Sequence, residues 1–452
     1  MENKTKRIVV LGGGISGFGS AILAKKMGFD TFLSDMGRIA PRYKELLEDW
    51  EVTFEDGGHT QELILSADEV IKSPGIPEKA PIIKALRELG TPIISEIEFA
   101  GRYLDSSKTI CITGSNGKTT TTSLIYKILC DAGYNVALGG NIGESFAYTV
   151  AMGEYDWYVL ELSSFQLDGM YEFKADIGVL MNITPDHLDR YEYNFQNYAD
   201  SKMRITRNQG ATENFIYSSD DPTIVSMLKG ADMAMNLLPF IAVGELRPKQ
   251  GAYLQDDTVV AHLADMTVRI PTSEMKIQGL HNAYNAMAAS LAALSAGVEP
   301  CAIEASIVEF SPVEHRLEPA GVIDGVAYIN DSKATNVDSV WYALESMRNP
   351  TVWIAGGTDK GNDYAPLKDF ARNKVHTLVC MGVDNKALEE AFEGVIPQII
   401  STNSLDEAMV AAHKAAMVGD VVLLSPACAS FDLFKNYEDR GRQFKEWVAN
   451  KK

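Results

Sequence analysis

The chain has 452 residues, 46% of them hydrophobic and 23% charged, and its formal net charge is -20. This length exceeds one ordinary domain, and the composition excludes the disordered and fibrous classes. The negative charge would repel a polyphosphate backbone, and no dense stretch of Lys and Arg interleaved with aromatic residues appears, so we expect no nucleic-acid partner.

The cysteines and the apolar segments bear on the cellular compartment. The five cysteines form no C-x-x-C pair, which is typical of reduced thiols in the cytoplasm rather than of a zinc site. No signal-peptide pattern follows the first basic residues, and the longest apolar stretch, 286–298, is too short to cross a bilayer. We therefore expect a cytoplasmic protein without membrane insertion.

The first hundred residues alternate between strand and helix patterns. Strands are predicted at 8–11, 31–33, 67–71 and 92–94, and helices at about 16–27 and 82–89. The turn Gly12-Gly13-Gly14-Ile15-Ser16-Gly17 matches the fingerprint G-x-G-x-x-G, and Asp35 follows the second strand, where a ribose-binding acid would lie. This motif indicates a diphosphate at a helix N-terminus. NAD, a nucleotide sugar, and a glycine turn used only for helix packing all remain open.

A second glycine-rich turn begins a new α/β region. The strand predicted at 109–113 leads through Thr113-Gly114-Ser115-Asn116-Gly117-Lys118-Thr119-Thr120 into a helix. Backbone N–H groups there would bind a phosphate, Lys118 would add positive charge, and Thr119 would offer a hydroxyl to magnesium. Ile112 replaces the first glycine of the strict P-loop pattern, so this is a shortened form. A tight turn with a solvated lysine is the alternative.

Further candidate residues lie beyond the following strands. Glu161, in the strand predicted at 157–162, would bind metal beside the phosphate loop or face solvent. His187 follows the strand predicted at 177–183 and could bind metal or substrate, or be an ordinary surface residue. Lys202 is by itself typical of a solvated helix face. Asn282 and Asn285 share one helix face, where they could bind a ligand or cap the helix.

The last region follows an Ala-rich helix and a linker at Pro312, which cannot continue that helix. Strands predicted at 326–330, 352–355, 377–380 and 421–424 alternate with helices as in a Rossmann-like sheet. Three polar loops follow these strands, and the carboxyl edge of such a sheet is where ligands bind. Surface turns would explain any one of these loops: Asp331-Ser332-Lys333-Ala334-Thr335-Asn336, Gly356-Gly357-Thr358-Asp359-Lys360 and Ser425-Pro426-Ala427-Cys428-Ala429-Ser430-Phe431.

The motifs resemble, in order and over essentially the whole chain, those of the Mur ligase family of peptidoglycan synthesis. They are G-S-N-G-K-T-T, E-L-S-S-F-Q-L, D-H-L-D-R-Y, H-N-x-x-N, H-R-L-E, N-D-S-K-A-T-N and S-P-A-C-A-S-F-D, and the last two are those of the glutamate-adding members. The resemblance implies an ATP-dependent ligase that adds D-glutamate to UDP-N-acetylmuramoyl-L-alanine through an acyl phosphate. Such a reaction serves cell-wall synthesis, cell shape and division, and we expect a monomer.

The resemblance also implies a three-domain α/β fold. The first domain, 1–96, would be Rossmann-like and bind the UDP-sugar. The second, 97–311, would be a P-loop ATPase-like parallel-sheet domain that binds ATP. The third, 312–452, would be Rossmann-like and bind the incoming amino acid. Closure of the third domain about the linker at Ser311 and Pro312 would exclude water from the acyl phosphate.

Roles for individual residues follow from the same resemblance. The ATP site would consist of Gly114, Ser115, Asn116, Gly117, Lys118, Thr119, Thr120, Asn282, Asn285, Arg316 and Asp331. Two magnesium ions would be held by Thr119, Glu161, His187 and a carbamylated Lys202. The catalytic residues would be Lys118, Glu161, His187 and Lys202. UDP-sugar contacts would come from Ile15, Ser16, Asp35, Ser73, Gly75, Asn141 and Gln166. D-glutamate would be bound by Lys333, Thr335, Lys360, Ser430, Phe431 and Tyr437.

The chain departs from the family pattern at two places. Met36-Gly37-Arg38 follows Asp35 where some members carry Thr-Arg, and Tyr437 stands where others have Phe. Other classes also share parts of the pattern. A folyl-polyglutamate synthetase resembles the Mur ligases in fold, a nicotinamide oxidoreductase would use the first glycine turn, and a nucleotide-gated scaffold would bind ATP without turnover.

Overall fold

A computed structural model describes residues 5–186, 188–244, 246–311, 314–359 and 361–451. It contains two compact units. One is formed by the residues up to Glu274 together with Tyr284–Glu309, and the other by Met275–Ala283 together with the residues from Phe310 onward. Among the described helices, none has both the length and the apolar character needed to cross a membrane.

The first sheet of the larger unit has five parallel strands. Its elements are β1 (Arg7–Leu11), α1 (Ile15–Lys26), β2 (Asp30–Asp35), α2 (Pro41–Asp49), β3 (Thr53–Asp56), α3 (Gln61–Leu65), β4 (Glu69–Lys72), α4 (Pro81–Glu88), β5 (Ile93–Ile94) and α5 (Glu96–Gly101). The strand order is β3-β2-β1-β4-β5. β1 is central because its apolar residues 8–11 are fully buried on both faces. The predicted β-α-β opening is confirmed.

The second sheet of the larger unit has nine strands. Its elements are β6 (Lys108–Thr113), α6 (Lys118–Asp131), β7 (Val136–Gly140), α7 (Phe146–Met152), β8 (Trp157–Glu161), α8 (Ser164–Asp168), β9 (Ile177–Leu180), α9 (Phe195–Met203), β10 (Asn214–Ser218), α10 (Pro222–Leu228), β11 (Asn236–Ile241), β12 (Gly251–Gln255), β13 (Thr258–Leu263), β14 (Met266–Pro271), α11 (Leu280–Ser295) and α12 (Pro300–Glu309). The order is β14-β13-β12-β11-β10-β9-β6-β8-β7. The sheet is parallel from β7 to β12, and β12, β13 and β14 pair antiparallel.

Two expectations for this sheet need correction. The strand predicted at 177–183 ends at Leu180, because Asn182 leaves the sheet to bond the loop before α6. The Ala-rich helix is two helices, α11 and α12, separated at Gly297, whose φ is +87°. Since α11 begins at Leu280, Asn282 and Asn285 are helical residues, and the N-capping alternative is wrong.

The third sheet belongs to the smaller unit. Its elements are β15 (Glu318–Ile323), β16 (Val326–Asn330), α13 (Val337–Ser346), β17 (Thr351–Ala355), α14 (Lys368–Lys374), β18 (Val375–Met381), α15 (Lys386–Phe392), β19 (Gln398–Thr402), α16 (Leu405–Ala415), β20 (Val421–Leu424) and α17 (Tyr437–Asn450). The order is β15-β16-β20-β17-β18-β19, and only the edge strand β15 pairs antiparallel. The four predicted strands are confirmed, and the expected α/β fold class is correct. The domain limits at 96 and 311 stay a prediction, and Pro312 of the linker lies outside the described residues.

Candidate functional site

The loop between β6 and α6 is shaped by two glycines. Gly114 has a φ of +150° and Gly117 a φ of +83°, values that favour glycine. A Cβ at position 114 would lie 2.9 Å from the Cβ of Met181, and one at 117 would lie 2.8 Å from Asn285 Oδ1. Backbone and space therefore both require these glycines, and the loop can direct N–H groups from the N-terminus of α6 toward an anion.

Lys118 crosses this loop rather than extending into solvent. Its Nζ donates to the carbonyl oxygens of Gly114 at 2.8 Å and Ser115 at 2.9 Å. Thr119 and Thr120 are buried in the first turn of α6. The arrangement places an ammonium group directly over a loop of turned backbone, as a phosphate site needs.

The loop is supported by residues that the sequence did not single out. Asn182 accepts from the backbone N–H of Asn116 at 2.8 Å and donates to its carbonyl at 3.1 Å. The Ser115 hydroxyl donates to the Thr184 carbonyl at 2.8 Å and lies 2.9 Å from the Tyr198 hydroxyl. The only sequence signal of Asn182 and Thr184 is their position shortly after β9, and Tyr198 in α9 carries none. These side-chain and backbone hydrogen bonds therefore fix the conformation of the loop without a ligand.

Glu161 lies at the carboxyl end of β8, paired with Ile112 of β6 just before the loop. Its side chain is 2% exposed. Oε1 accepts from Asn141 Nδ2 at 2.9 Å, whereas Oε2 is buried and has no hydrogen-bond partner among the described residues. The solvent-facing alternative is wrong. A buried oxygen without a donor is costly, and a cation beside it would compensate that cost.

Lys202 is also buried, so the expectation of a solvated lysine is wrong. It is 2% exposed, and its Nζ donates to the Gly114 carbonyl at 2.7 Å and lies 4.7 Å from the centre of the Tyr198 ring. Burial, with the nearby Lys118 charge, holds the pKa of Lys202 well below the usual lysine value, against the opposing charges of Asp186 and Glu161. The position arises because α9 packs beneath the phosphate loop, which a single helix pattern cannot reveal. His187 lies outside the described residues.

The two asparagines of α11 have separate surroundings. Asn285, in the larger unit, accepts from the Thr121 hydroxyl at 3.1 Å, so it contacts the helix that follows the phosphate loop. Asn282, in the smaller unit, donates to the Gln278 carbonyl at 2.8 Å. Both are buried. Only Asn285 is brought to the phosphate loop within one unit.

The first glycine turn is packed too tightly for any side chain at Gly17. A Cβ there would lie 1.7 Å from the Gly12 carbonyl oxygen. The Asp35 carboxylate accepts from the N–H groups of Gly13 at 2.5 Å and Gly37 at 2.6 Å. The carboxylate therefore holds the turn itself, in addition to any ligand contact. This turn leads into α1, whose first N–H groups have no intrahelical partner.

The other predicted UDP-sugar residues lie around this turn or in the second sheet. Ile15 and Ser16 form the first turn of α1, and Ser73 packs against Gly12. Gly75 is exposed. The Gln166 side chain accepts from the Ser163 backbone N–H at 2.9 Å and hydroxyl at 2.8 Å as part of a capping box on α8. The structure thus groups Ile15, Ser16 and Ser73, whereas Asn141 and Gln166 belong to the second sheet.

In the smaller unit, Asp331 follows β16 and is 2% exposed. Its carboxylate accepts from the Leu317 N–H at 3.2 Å and the Ser425 hydroxyl at 2.7 Å. Burial raises the pKa of Asp331 to about 6, although the Arg316 charge opposes this rise. The charges of Arg316 and Asp331 are therefore close enough to interact.

Three loops at the carboxyl edge of the third sheet are joined by Arg440, which sequence reasoning missed. Its guanidinium is fully buried and donates to the Ser332 hydroxyl and carbonyl at 2.9 Å each. It also reaches the carbonyls of Gly356 at 3.4 Å and Cys428 at 3.3 Å. An arginine in the polar pattern of α17 carries no sign of burial, so the sequence could not indicate this role. The three polar loops form one assembly.

The predicted amino-acid-binding residues are distributed over these loops and α17. Lys333 Nζ lies 5.5 Å from the centre of the Tyr437 ring, and the Thr335 N–H donates to the Lys333 carbonyl at 2.9 Å. Ser430 is buried, whereas Phe431 is 72% exposed. Lys360 lies outside the described residues. Lys333 and Tyr437 are thus the pair that the structure brings together directly.

The last of these loops contains a strained residue. Ala427 has a φ of +61°, which is unfavourable for a residue with a Cβ. Its N–H donates to the Ala334 carbonyl at 3.0 Å, and its carbonyl accepts from Asn362 Nδ2 at 3.1 Å. Hydrogen bonds to both other loops therefore hold this conformation.

A phosphate loop at the start of a helix, a buried carboxylate and lysine beside it, and three α/β sheets define a nucleotide-dependent α/β protein. Family models match the chain along most of its length. Residues 6–95 match the Mur ligase MurD-like N-terminal domain, 112–293 the Mur ligase middle domain, and 315–428 the glutamate ligase domain of Mur ligases. The chain belongs to the Mur ligase family.

Curated relatives match it from end to end. The UDP-N-acetylmuramoylalanine--D-glutamate ligase of Bacteroides fragilis is 54% identical over 98% of this chain and 99% of its own, and that of Porphyromonas gingivalis is 50% identical over 100% of both. A solved pseudomurein peptide ligase type C from Methanothermus fervidus is 19% identical, covers 98% of this chain and 100% of its own, and has a TM-score of 0.65. UDP-N-acetylmuramate-alanine ligase from Thermotoga maritima is 18% identical over 99% and 100%, with a TM-score of 0.62. At these identities the two structures bear on the fold alone, which they share.

Proposed function

We infer that this chain is an ATP-dependent ligase that joins D-glutamate to UDP-N-acetylmuramoyl-L-alanine in peptidoglycan precursor synthesis. The observation that carries this inference is the full-length identity of 50–54% to ligases of that name, together with an intact phosphate loop. The alanyl carboxylate is first phosphorylated by ATP, and the amine of D-glutamate then displaces phosphate from the acyl phosphate. ADP and phosphate leave as products.

The ATP phosphates bind over the loop of Gly114, Ser115, Asn116, Gly117, Lys118, Thr119 and Thr120. Lys118, held above the loop by two carbonyls, neutralises charge as the phosphoryl group moves, which is the main requirement of this chemistry. Asn285 lies beside the loop because its side chain accepts a hydrogen bond from Thr121 in the first turns of α6. The family resemblance also assigns Asn282, Arg316 and Asp331 to nucleotide binding.

Two magnesium ions suit the donors beside this loop. The unpaired Oε2 of Glu161 and the Thr119 hydroxyl are hard oxygen ligands of the kind magnesium prefers. The family resemblance adds His187 as a further ligand. When bound, the ions shield the negative charge of the reacting phosphates. Burial lowers the pKa of Lys202 and so favours the neutral amine, which would add CO₂ with loss of a proton, and the carbamate would supply another oxygen ligand.

We assign the UDP-sugar mainly to the first sheet and D-glutamate to the third. Ile15, Ser16, Asp35, Ser73 and Gly75 hold the UDP-sugar, with Asn141 and Gln166 toward its muramoyl end. Lys333, Thr335, Lys360, Ser430, Phe431 and Tyr437 hold D-glutamate. Because ATP and nucleotide sugars are cytoplasmic metabolites, we place the enzyme in the cytoplasm, and we expect a monomer.

Phosphate release tests the proposal. The purified chain is given ATP, MgCl₂, UDP-N-acetylmuramoyl-L-alanine and one amino acid at a time: D-glutamate, L-glutamate, L-alanine or meso-diaminopimelate. Rapid release only with D-glutamate is expected, with the dipeptide product identified by mass. Faster release with another amino acid, or with a folate acceptor, would overturn the assignment. ATP binding without release under any condition would favour a scaffold instead.

A further inference from the structure

A buried carboxylate outside the proposed catalytic set joins the first two sheets. Glu96 is the first residue of α5 and is 2% exposed. Its Oε1 accepts from the Ser145 hydroxyl at 2.5 Å and from the Ala147 N–H at 3.0 Å. Ser145 is the N-cap of α7 and accepts from the Tyr148 N–H at 3.1 Å. Glu96 therefore fixes the start of α7 in the second sheet.

The same carboxyl group lies next to the first turn of α1. Burial raises the pKa of Glu96, and hydrogen bonds from Ser145 and Ser16 and from the N–H groups of Ala147 and Phe146 oppose this rise. α1 and α7 pack so closely there that a Cβ at Gly19 would lie 1.9 Å from the Ser145 hydroxyl oxygen. Ser16 and Ser145 thus approach one carboxyl group from the two sheets.

The second carboxyl oxygen of Glu96 is unpaired among the described residues. Oε2 is buried, and no residue in the described ranges hydrogen-bonds to it. Burying such an oxygen without a donor is costly. The Ser16 hydroxyl and the Ser145 hydroxyl both bond to this one carboxyl group, which ties the first turn of α1 to the start of α7.

The segment held by Glu96 also contacts Glu161, the carboxylate assigned to metal in the second sheet. The segment from Asn141 to Ser145 joins β7 to α7, and Glu96 holds its last residue. At its first residue, Asn141 Nδ2 donates to Glu161 Oε1 at 2.9 Å, and its N–H donates to the Glu161 carbonyl at 2.8 Å. One short segment therefore connects Glu96 to the carboxylate assigned to metal.

We propose that Glu96 is a positioning residue for the nucleotide-sugar substrate, holding Ser16 in the first turn of α1 and fixing the segment that carries Asn141. This inference rests on the proposed function, because it takes the UDP-sugar to bind at the first turn of α1. Glu96 touches no reacting atom. Its loss should therefore weaken substrate binding more than it slows the chemical step.

The test compares three variants in the intact chain. In Glu96→Gln the amide oxygen can still accept from Ser145 and Ala147, and the amide nitrogen can donate to Ser16, so KM for UDP-N-acetylmuramoyl-L-alanine should stay within about threefold of the parent. In Glu96→Ala the hydrogen bonds to the carboxylate are lost, and KM for UDP-N-acetylmuramoyl-L-alanine should rise about tenfold, which is the usual worth of one hydrogen bond to a charged group. KM for ATP should stay unchanged. UDP binding measured by calorimetry should weaken in parallel.

Glu98→Ala is the matched control. Glu98 is as buried as Glu96 and two residues further along α5, but it accepts from the N–H groups of Tyr171, Glu172 and Phe173 at 2.9, 3.1 and 3.0 Å. Its loss should lower the melting temperature without raising KM for the UDP-sugar. An equal KM rise in this control, an equal rise for ATP, or failure of Gln to preserve KM would overturn the role of Glu96. A parent chain that binds no UDP-sugar would refute the proposed function instead.

Discussion

Gly117 offers a sharp test of the phosphate loop, because a second glycine with a left-handed backbone conformation lies just beyond the other end of the same helix. Gly117 precedes α6 with a φ of +83°, and Gly133 follows it with a φ of +87°. An alanine at either position should lose about 1–2 kcal/mol to left-handed strain. The melting temperature of each variant should fall by about 2–4 °C for each kcal/mol.

Only one of the two substitutions should affect ATP. A Cβ at 133 meets nothing within 4 Å, whereas a Cβ at 117 lies 2.8 Å from Asn285 Oδ1, which already accepts from Thr121. Ordinary contact would require a shift of roughly 0.5 Å at the phosphate loop, and misplacement by 1 Å costs about 100-fold in rate. We expect kcat/KM for ATP to fall about tenfold in Gly117→Ala and to be unchanged in Gly133→Ala.

Phosphate release at varied ATP concentration, with melting curves of both variants, measures these effects. Equal losses of activity in the two variants would mean that strain, and not the loop geometry, causes the defect. Full activity in Gly117→Ala would show that the loop does not bind the phosphates in this conformation.

Three further predictions concern charged groups. Lys118→Ala should lose about 100-fold or more in turnover, since one preorganised charge contact is worth that much; near-normal phosphate release would refute its role. Glu161→Gln should abolish the rise in melting temperature on adding MgCl₂ in the presence of ATP, because an amide nitrogen can replace the unpaired oxygen, and a retained rise would exclude Glu161 as a ligand. The folded pKa of Asp331, about 6, exceeds its ordinary 3.8, so ionisation opposes folding: between about pH 7 and pH 4 the parent should gain up to about 3 kcal/mol that Asp331→Asn does not. Urea unfolding at both pH values measures this, and equal gains would contradict it.

The sequence predicted those parts of the fold that depend on local pattern. The apolar run at 8–11, the glycine turn and α1 are confirmed, because a strand buried on both faces shows as a continuous apolar run. The hairpin β12–β13 was missed although Asp256 and Asp257, with φ of +48° and +55°, form the kind of two-residue turn that joins such strands. A closer reading of turn residues could have found it.

The sequence predicted less of the candidate site where the burial of a side chain depends on tertiary packing. Lys202 and Arg440 occupy polar helices, yet both are buried, because elements distant in sequence close over them. The orphan oxygens of Glu96 and Glu161 likewise depend on which groups fail to reach them. The spacing of residues in the sequence cannot predict that a buried oxygen lacks a hydrogen-bond partner. The residue pattern could name Glu161 by its place at a strand end, but it contained no sign of Glu96.

The left-handed conformation of Ala427 has a consequence for how an amino acid would be bound. Its two backbone groups are bonded to Ala334 and Asn362, so the shape of this loop is tied to the segments that follow β16 and β17 and is set in the folded chain. Their conformational entropy is then lost when the chain folds and not when the ligand arrives. Selectivity in such a pocket would come from a fixed shape that a ligand of the wrong handedness cannot induce to change.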